Sequence, residues 1–330
     1  MNIVVTGSVA FDYIMSFPGH FTEHILLDKL DSISLSFLVD DLRRVYGGCA
    51  PNIAYSLALL NERPRLMASA GLDAGEYRDW LNEQGVDTSL LLICDDCFTA
   101  SFFVNTDLDQ NQIASFYTGA MARAHELSLY DIAPSPQSPD KPDLVIIAPN
   151  DPQAMAKYAR ECRELEIDYI YDPSQQVARV GGEELAEGLT GAKLLILNDY
   201  EYSILQNKTG LDEAQLLQRV ENIVVTLGER GSRIVTQDQV FQVPIAAPNA
   251  VLEPTGVGDA YRAGLIKGMV HGFSWPVSGR IAALAAAYVI EHPGPQPKPY
   301  TLDEWVARYR ANFGDSPELD SLLRSENKGK

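Results

Sequence analysis

The sequence contains few cysteines and histidines, the residues that hold structural zinc ions and, in the case of cysteine, disulfide frameworks. Its 330 residues include only four cysteines and five histidines. The pair in "CDDC" encloses two aspartates, and no second pair of zinc ligands follows at a matching spacing. The irregular cysteine spacing argues against a disulfide framework and fits a reducing compartment. We therefore expect ordinary reduced cysteines at positions Cys49, Cys94, Cys97 and Cys162.

Basic residues and long apolar runs are also scarce. Lys and Arg total 26 against 45 Asp and Glu, a net charge of −19 that opposes general binding to nucleic acid or anionic lipid. The longest apolar run, Ile281 to Ile290, has about half of the roughly 20 residues that a membrane span needs. The N-terminus "MNIVVTGSVAFD" lacks the basic region of a signal peptide. These features predict a cytoplasmic protein without a nucleic-acid or membrane partner.

Strand-like and helix-like segments alternate along most of the chain. Apolar runs such as "NIVVTG", "PDLVIIAPN" and "AKLLILND" are typical of buried strands. Segments between them, such as "PNIAYSLALLNE" and "DPQAMAKYARECRELE", repeat apolar residues at helical spacing. This alternation predicts an α/β fold, with a mostly parallel sheet covered by helices on both faces. We expect one domain over residues 1–330, because strand and helix alternation resumes after the only proline-rich loop.

Two segments, from about 16 to 46 and from 99 to 117, depart from this alternation. They contain strand-like pieces without intervening helices. Together they predict a small, discontinuous β lid on the main sheet. Edge strands of such a lid could pair across a two-fold axis, which favours a homodimer.

The stretch "TGVGDAYRAG" combines glycines, a carboxylate and the start of a helix. The N–H groups of Gly256, Val257 and Gly258 could form an anion hole, because glycine permits close approach and a helix N-terminus favours anions. Asp259 would lie beside that anion. A glycine turn with Asp259 as a capping acid explains the same residues. A dinucleotide fingerprint fits poorly, since Tyr261 stands at the third glycine position, and the chain has no Gly-Lys-Ser/Thr phosphate loop.

Polar residues near the N-terminus suit a ligand rich in hydroxyl groups. In "YGGCAPN", Gly47 and Gly48 would let the backbone approach such a ligand, and Asn52 can donate to hydroxyls and accept from them. A capped helix start is the alternative. Asp12, in "GSVAFD", could accept from two neighbouring hydroxyls or could be a residue of a turn at a strand end.

Two later strand ends carry residues suited to phosphate. In "LNDYE", Asn198 and Glu201 could face a metal-bound phosphate or its waters, with Glu201 reaching the metal only indirectly. In "TLGERGS", Thr226 and Gly228 could contact triphosphate oxygens, whereas a hairpin turn explains Gly231 equally well.

In this order, the motifs resemble the ribokinase (PfkB) family of sugar and nucleoside kinases. "GG…N" looks like the first family signature and "PTGVGDAYRAG" like the second, and the resemblance runs from residue 2 to about 312. "DPSQQVAR" and "LNDYEYSIL" look like the bacterial adenosine kinases. The resemblance implies a ribokinase-like, three-layer, Rossmann-like fold with a small β lid.

The resemblance also assigns residues to a nucleoside. It implies that the ribose is held by Ser8, Asp12, Asn52 and the paired glycines. Phe102 and Phe116 would lie against adenine, where stacking is worth about 1–3 kcal/mol per base, although both could instead belong to the core of the lid. Residues near the substrate and the phosphates would be Gln175, Gln176 and Arg179, with Arg179 as the charge partner of a polyphosphate.

The implied reaction is transfer of the γ-phosphoryl group of ATP to the 5′-hydroxyl of adenosine, with Mg²⁺ bridging the phosphates. Asp259 would be the general base, and the ATP contacts would include Asn198, Glu201, Thr226, Gly228 and Gly231. The sequence departs from the family pattern at Cys49, Pro51, Thr118 and Glu253, and none of these changes removes a group needed for the chemistry. Thr118 and the two phenylalanines bear on the expected acceptor more than on the reaction type. Three alternatives stay open here: another nucleoside or furanose acceptor, a non-catalytic nucleoside-binding relative, and a nicotinamide-dependent oxidoreductase.

Overall fold

The computed structural model describes residues 1–24, 34–109, 111–320 and 322. In these ranges the strands are β1 Ile3–Thr6, β2 Ala10–Ser16, β3 Asp41–Gly47, β4 Arg65–Gly71, β5 Leu91–Cys94, β6 Ala100–Thr106, β7 Gln112–Tyr117, β8 Leu144–Ile147, β9 Asp168–Tyr171, β10 Leu194–Asn198, β11 Ile223–Thr226, β12 Ser232–Val235 and β13 Val240–Val243. The helices are α1 Cys49–Leu59, α2 Gly75–Glu83, α3 Pro152–Glu164, α4 Gly182–Leu189, α5 Asp199–Thr209, α6 Glu213–Leu217, α7 Val257–Val270, α8 Trp275–Ile290 and α9 Leu302–Phe313.

The main sheet has the strand order β13-β12-β11-β10-β9-β8-β1-β4-β5. Its strands are parallel from β11 to β5, and β12 and β13 join as antiparallel strands at one edge. The predicted strand runs all lie in this sheet. The prediction of a mostly parallel α/β sheet is confirmed.

Helices cover both faces of the main sheet. In β1, Val4 faces one apolar cluster, whereas Ile3 and Val5 face another. The first cluster includes residues of α3, α4 and α5, and the second includes residues of α1, α7 and α8. Because strand side chains alternate between faces, a strand buried on both sides is apolar throughout, which explains the uninterrupted "IVV" and "LLIL" runs.

A second sheet, with the order β3-β2-β6-β7, is formed by residues near the predicted lid. It begins at Ala10, earlier than the expected start near residue 16, because β2 pairs in parallel with β6 and in antiparallel with β3. The remaining strands, β3, β6 and β7, fall within or one residue beyond the predicted segments. Residues 25–33 and 110 of those segments lie outside the described residues.

The order of the strands changes direction at β1, which lies between β8 and β4 in the main sheet. The next strand of the main sheet along the chain, β4, pairs with β1 on one side, and β8 pairs with β1 on the other side. The loops after β1 and β8 meet where the Ser8 N–H donates to the Pro149 carbonyl at 2.9 Å. Ligands in open α/β sheets bind at such a reversal of strand order. In the described part of the chain, no helix combines the length and apolar character that crossing a membrane requires.

Candidate active site

A cavity of about 470 Å³ opens at this point, between the carboxyl edge of the main sheet and the second sheet. Many of the predicted site residues line it: Ser8, Asp12, Gly48, Asn52, Phe102, Phe116, Gln175, Gln176, Arg179, Gly256 and Asp259. The structure thus brings together residues from both halves of the sequence. Further lining comes from residues that sequence reasoning did not select: Ala10, Cys49, Met121, Pro149 and Thr255.

One end of the cavity is formed by a row of side chains across the second sheet. Asp12 pairs in register with Phe102, and Phe102 pairs with Phe116. Residues in register on adjacent strands share a face of the sheet, and all three line the cavity. Phe116 is 46% exposed, so it offers an apolar face to the cavity. The arrangement places a hydroxyl acceptor beside two aromatic rings.

The two glycines before α1 have different structural roles. Gly47 does not line the cavity, and a Cβ there would lie 2.6 Å from Asp12 Oδ2, so the glycine leaves room for the carboxylate. Gly48 lines the cavity at a φ of 94°, and a Cβ there would lie 2.4 Å from the Ser8 carbonyl oxygen. Only glycine combines this backbone conformation with so close an approach.

The Asp12 carboxyl has a perturbed protonation equilibrium. Burial, and secondarily the negative charge of Glu253, raises the pKa of Asp12 to about 6. Burial raises a carboxyl pKa because it penalises the charged form. Above about pH 6, Asp12 is therefore an ionised acceptor on the cavity wall.

The opposite end of the cavity is the N-terminus of α7. Gly256 precedes the helix at a φ of 78°, and a Cβ there would lie 2.4 Å from Pro295 Cβ. Among the described residues, the N–H groups of Gly256 and Gly258 have no protein acceptor. The Val257 N–H differs from the prediction, because it donates to the Pro254 carbonyl at 3.3 Å and so closes the turn that begins the helix. Free amides at a helix N-terminus form an anion site.

Asp259 lies in the first turn of α7 and is held by a residue of α1. Asn52 Nδ2 donates to Asp259 Oδ2 at 2.9 Å. Gln296 Nε2 in turn donates to Asn52 Oδ1 at 3.1 Å and to the Tyr77 hydroxyl at 2.9 Å. The Tyr77 hydroxyl donates to the Gly47 carbonyl at 3.0 Å. This chain of hydrogen bonds fixes the amide of Asn52, with its nitrogen toward Asp259.

The surroundings of Asp259 make it a base suited to neutral pH. Burial raises the pKa of Asp259 to about 7, opposed by the positive charge of Arg262 and by the Asn52 hydrogen bond. The charges of Asp172 and Asp12 raise it further. A general base works best when its pKa lies near the operating pH. Asp259 is therefore a stronger proton acceptor than an exposed aspartate, whose pKa is about 3.9.

The predicted ATP contacts lie outside the cavity wall, at the neighbouring strand ends. Asn198 pairs in register with Thr226, so the two residues are adjacent at the same edge. Asn198 and Glu201 form a capping box at the start of α5, and Glu201 Oε1 also accepts from the Ser174 hydroxyl at 3.1 Å. Gly228 and Gly231, both at positive φ, belong to the tight turn that joins β11 to antiparallel β12. The hairpin explanation therefore accounts for Gly231.

A buried ion pair behind the cavity was missed at the sequence level. Arg262 Nη2 donates to Asp172 Oδ1 at 2.7 Å, and Arg262 Nε also contacts Asp172 Oδ2. Both residues stand in stretches noted for other reasons, "DAYRAG" and "DPSQQ". An arginine flanked by apolar residues in a helix is a signal of a buried partner, but 90 residues separate the two and nothing local identifies the pair.

Comparison with known proteins gives a family match over most of the chain. The model of the pfkB family of carbohydrate kinases matches residues 3–301. A nucleoside kinase of Methanothermobacter thermautotrophicus is 30% identical over 322 residues, which cover 96% of this chain and 98% of the relative.

Two solved structures of the Burkholderia thailandensis nucleoside kinase are also similar. The complex with inosine has a TM-score of 0.84 at 37% identity and covers 96% of this chain and 99% of that one. The complex described as ADP-inosine has a TM-score of 0.82 at 38% identity, with coverages of 96% and 97%. These matches confirm the ribokinase-like fold and the reaction class, a kinase that transfers a phosphoryl group to an alcohol. They give no support to an oxidoreductase.

Proposed function

Because the chain belongs to the pfkB family of carbohydrate kinases, we propose that it phosphorylates the 5′-hydroxyl of adenosine with ATP, yielding AMP and ADP. The observation that carries the proposal is the convergence in one cavity of Asp12, the two phenylalanines, and the start of α7 with Asp259. This combination places a hydroxyl acceptor and aromatic faces at one end, and an anion site and a base at the other. The reaction would serve purine salvage.

The nucleoside is assigned to the end of the cavity next to the second sheet. The ionised Asp12 carboxylate can accept from the two ribose hydroxyls, with Ser8 and the backbone at Gly48 beside it. Phe102 and Phe116 offer stacking faces to a purine. Gln175 and Arg179, both exposed on the cavity wall, supply polar contacts, whereas Gln176 is buried and donates to the Asn150 carbonyl at 2.9 Å.

The transfer step uses the α7 end. As the bond between the γ-phosphorus and its bridging oxygen breaks, a bond forms from the 5′-oxygen to phosphorus, and Asp259 accepts the hydroxyl proton. The free amides of Gly256 and Gly258 stabilise the charge on the transferred group, as in other sites where preorganised donors face developing charge. The second sheet acts as a lid that excludes water, so hydrolysis is suppressed.

The donor nucleotide is assigned to the adjacent strand ends. Asn198 and Thr226 lie side by side at the carboxyl ends of β10 and β11, Gly228 lies in the turn that follows β11, and all three would contact ATP. Both Glu201 oxygens already accept hydrogen bonds, one from the Asn198 N–H and one from Ser174, so this carboxylate suits a contact to Mg²⁺ through water rather than direct ligation. When bound, Mg²⁺ neutralises phosphate charge. A charge of −19 on the chain makes such neutralisation useful.

A substitution at Asp259 tests the assignment of the base. We expect Asp259→Asn to lower kcat by about 10²–10⁴ and to leave adenosine affinity within a few-fold. Steady-state kinetics with coupled ADP detection gives kcat, and calorimetry gives the affinity. Near-wild-type turnover in this variant would remove Asp259 from the mechanism.

Inosine is the second candidate acceptor, because the Burkholderia thailandensis relative was solved with it. A panel of adenosine, inosine, guanosine and ribose, compared by kcat/KM, ranks the acceptors. A value for inosine above that for adenosine would replace the adenosine assignment while leaving the chemistry unchanged. Omission of Mg²⁺ from the same assay, with EDTA present, tests the metal requirement.

The outer face of the second sheet is proposed as a homodimer contact. Phe103, Leu42 and Ile113 are 39%, 60% and 43% exposed, and Phe103 faces away from the cavity, opposite Phe102. A second copy of the chain would cover this apolar face. We expect a dimer by analytical ultracentrifugation and a monomer for Phe103→Glu. The control is Val240→Glu at the edge of the main sheet, where the side chain is 54% exposed. A monomeric wild type would refute the proposal.

A cytoplasmic location is proposed on two grounds. The proposed donor is ATP, and all four cysteines are free thiols. Immunodetection after cell fractionation tests it, and recovery from an extracytoplasmic fraction would contradict it.

A further inference from the structure

The most unusual buried group near the cavity is the ion pair between Arg262 and Asp172. Arg262 is 8% exposed and Asp172 is 0% exposed. Burying an arginine is costly, because its guanidinium stays charged and loses its hydration. The cost is offset only by close partners, and Asp172 supplies one hydrogen bond, to Nη2, and one charge contact, to Nε. Neither residue lines the cavity, so the pair does not serve as a direct ligand contact.

The guanidinium is directed at the turn that begins α7. Arg262 lies three residues beyond Asp259, which places the two on the same face of the helix. A Cβ at Gly258 would lie 2.7 Å from Arg262 Nη1, so the missing side chain at that position is what admits the guanidinium. Among the described residues, Arg262 Nη1 has no hydrogen-bond acceptor. Its positive charge therefore lies against Gly258, in the first turn of α7.

We propose that Arg262, fixed by Asp172, is a positioning residue that supplies buried positive charge to the anion site and keeps Asp259 available as a base. The proposal rests on the role of Asp259 proposed above and extends it to two residues outside the cavity. In a poorly solvated site, a fixed cation next to developing negative charge acts strongly, because no solvent reorganisation is needed. Asp172 anchors the guanidinium and also moderates its charge.

The charges of Arg262 and Asp172 have opposite effects on the pKa of Asp259. The charge of Arg262 lowers the pKa of Asp259, whereas the charge of Asp172 raises it. Other titratable groups near this assembly include Asp12 of β2, Cys49 of α1, Tyr77 of α2, Tyr171 of β9, Glu201 of α5 and Tyr261 of α7. Burial and the charge of Glu253 raise the pKa of Asp12, and the charge of Asp12 in turn raises the pKa of Asp259.

The test is the acidic limb of the kcat/KM profile against pH, which reports groups of the free enzyme. For Arg262→Met we expect this limb to move up by about one pH unit, because a nearby opposite charge shifts a carboxyl pKa by about 1–3 units. At neutral pH, kcat should fall about 10–100-fold with nucleoside KM nearly unchanged. Arg262→Lys, which retains the positive charge, should have an acidic limb close to that of the wild type. Asp172→Asn should move it in the opposite direction, to lower pH.

The matched control is Lys267→Met on the same helix. Lys267 is 2% exposed and pairs with Glu62 at 2.6 Å, away from the cavity. This variant removes a buried cation from α7 and should lower thermal stability without moving the acidic limb. If Arg262→Met does not fold, the double variant Arg262→Met with Asp172→Asn leaves no orphaned charge, and its limb should lie at higher pH than that of Asp172→Asn alone, because only the double variant lacks the positive charge.

The outcomes separate this proposal from the proposed function. An unmoved limb in folded Arg262→Met, or a limb that moves upward in Asp172→Asn, would overturn the positioning role and leave a structural ion pair. Loss of activity in Asp259→Asn would at the same time retain the base assignment. Near-wild-type activity of Asp259→Asn would instead overturn the function and the inference together.

Discussion

The amide of Asn52 donates to the carboxylate of Asp259 across 2.9 Å, although 207 residues separate them in the chain. The contact joins the start of α1 to the start of α7, the two elements that carry the glycine motifs. The main role of Asn52 is therefore to hold the proposed base through this hydrogen bond. Because Asn52 also lines the cavity, contact with the ribose is a second role that we propose for it.

We expect Asn52→Ala to lower kcat/KM about 10-fold or more, because a hydrogen bond to a charged group contributes about 1.5–3 kcal/mol. In the wild type, the Asn52 hydrogen bond lowers the pKa of Asp259. Its removal should therefore raise that pKa and move the acidic limb of the pH profile to higher pH. Kinetics from about pH 5 to pH 9 measure both effects. Gln296→Ala is the graded control: it removes the orienting bond to Asn52 and should produce a smaller change in the same direction.

Nucleoside binding should weaken in acid because Asp12 becomes protonated. The pKa of Asp12 is raised to about 6, so its acceptor capacity is present above that pH and is lost as pH falls through it. Calorimetry in the Asp259→Asn background isolates this titration from that of the base. We expect Kd to rise as the pH falls below about 6, by up to about 10-fold per pH unit. If the double variant Asp259→Asn with Asp12→Asn showed the same dependence of Kd on pH, the assignment of this titration to Asp12 would be wrong.

Asp259→Asn should be more stable than the wild type at alkaline pH. Folding raises the pKa of Asp259 to about 7 from 3.8, so the folded state binds the proton more tightly, and stability is lost as pH rises through this range. Asparagine has no such titration. We expect the Tm of the variant to exceed that of the wild type by a few degrees near pH 8, with a smaller difference near pH 5. Calorimetric scans at both pH values measure this, and a pH-independent difference would contradict the raised pKa.

Gly48→Ala should destabilise the protein and distort the cavity. Its φ of 94° is strained for alanine, and the new Cβ would meet the Ser8 carbonyl oxygen. We expect a loss of about 2–4 kcal/mol in the free energy of unfolding, measured by urea denaturation. Gly75→Ala is the matched control, because it starts a helix with no atom within 4 Å of the added Cβ, and it should be neutral or slightly stabilising.

The sequence by itself determined the strands and helices of the main sheet, because uninterrupted apolar runs and helical periodicity record burial on one face or two. It also determined which residue types could contact a hydroxyl-rich ligand, as with Asp12 and Asn52, and where an anion site could form, at Gly256 and Gly258. These are properties of short segments, encoded by backbone chemistry and local spacing.

Only the tertiary structure decided how those residues act together. In the folded chain, the absence of a side chain at Gly47 leaves room for the Asp12 carboxylate. The Asn52 amide donates to Asp259, and Arg262 pairs with Asp172 behind the start of α7. It also set the pKa of Asp259 near neutrality. Desolvation and Coulomb interactions depend on distances between groups that are remote in the chain, so the protonation state of a buried acid is a property of the folded molecule and of no segment within it.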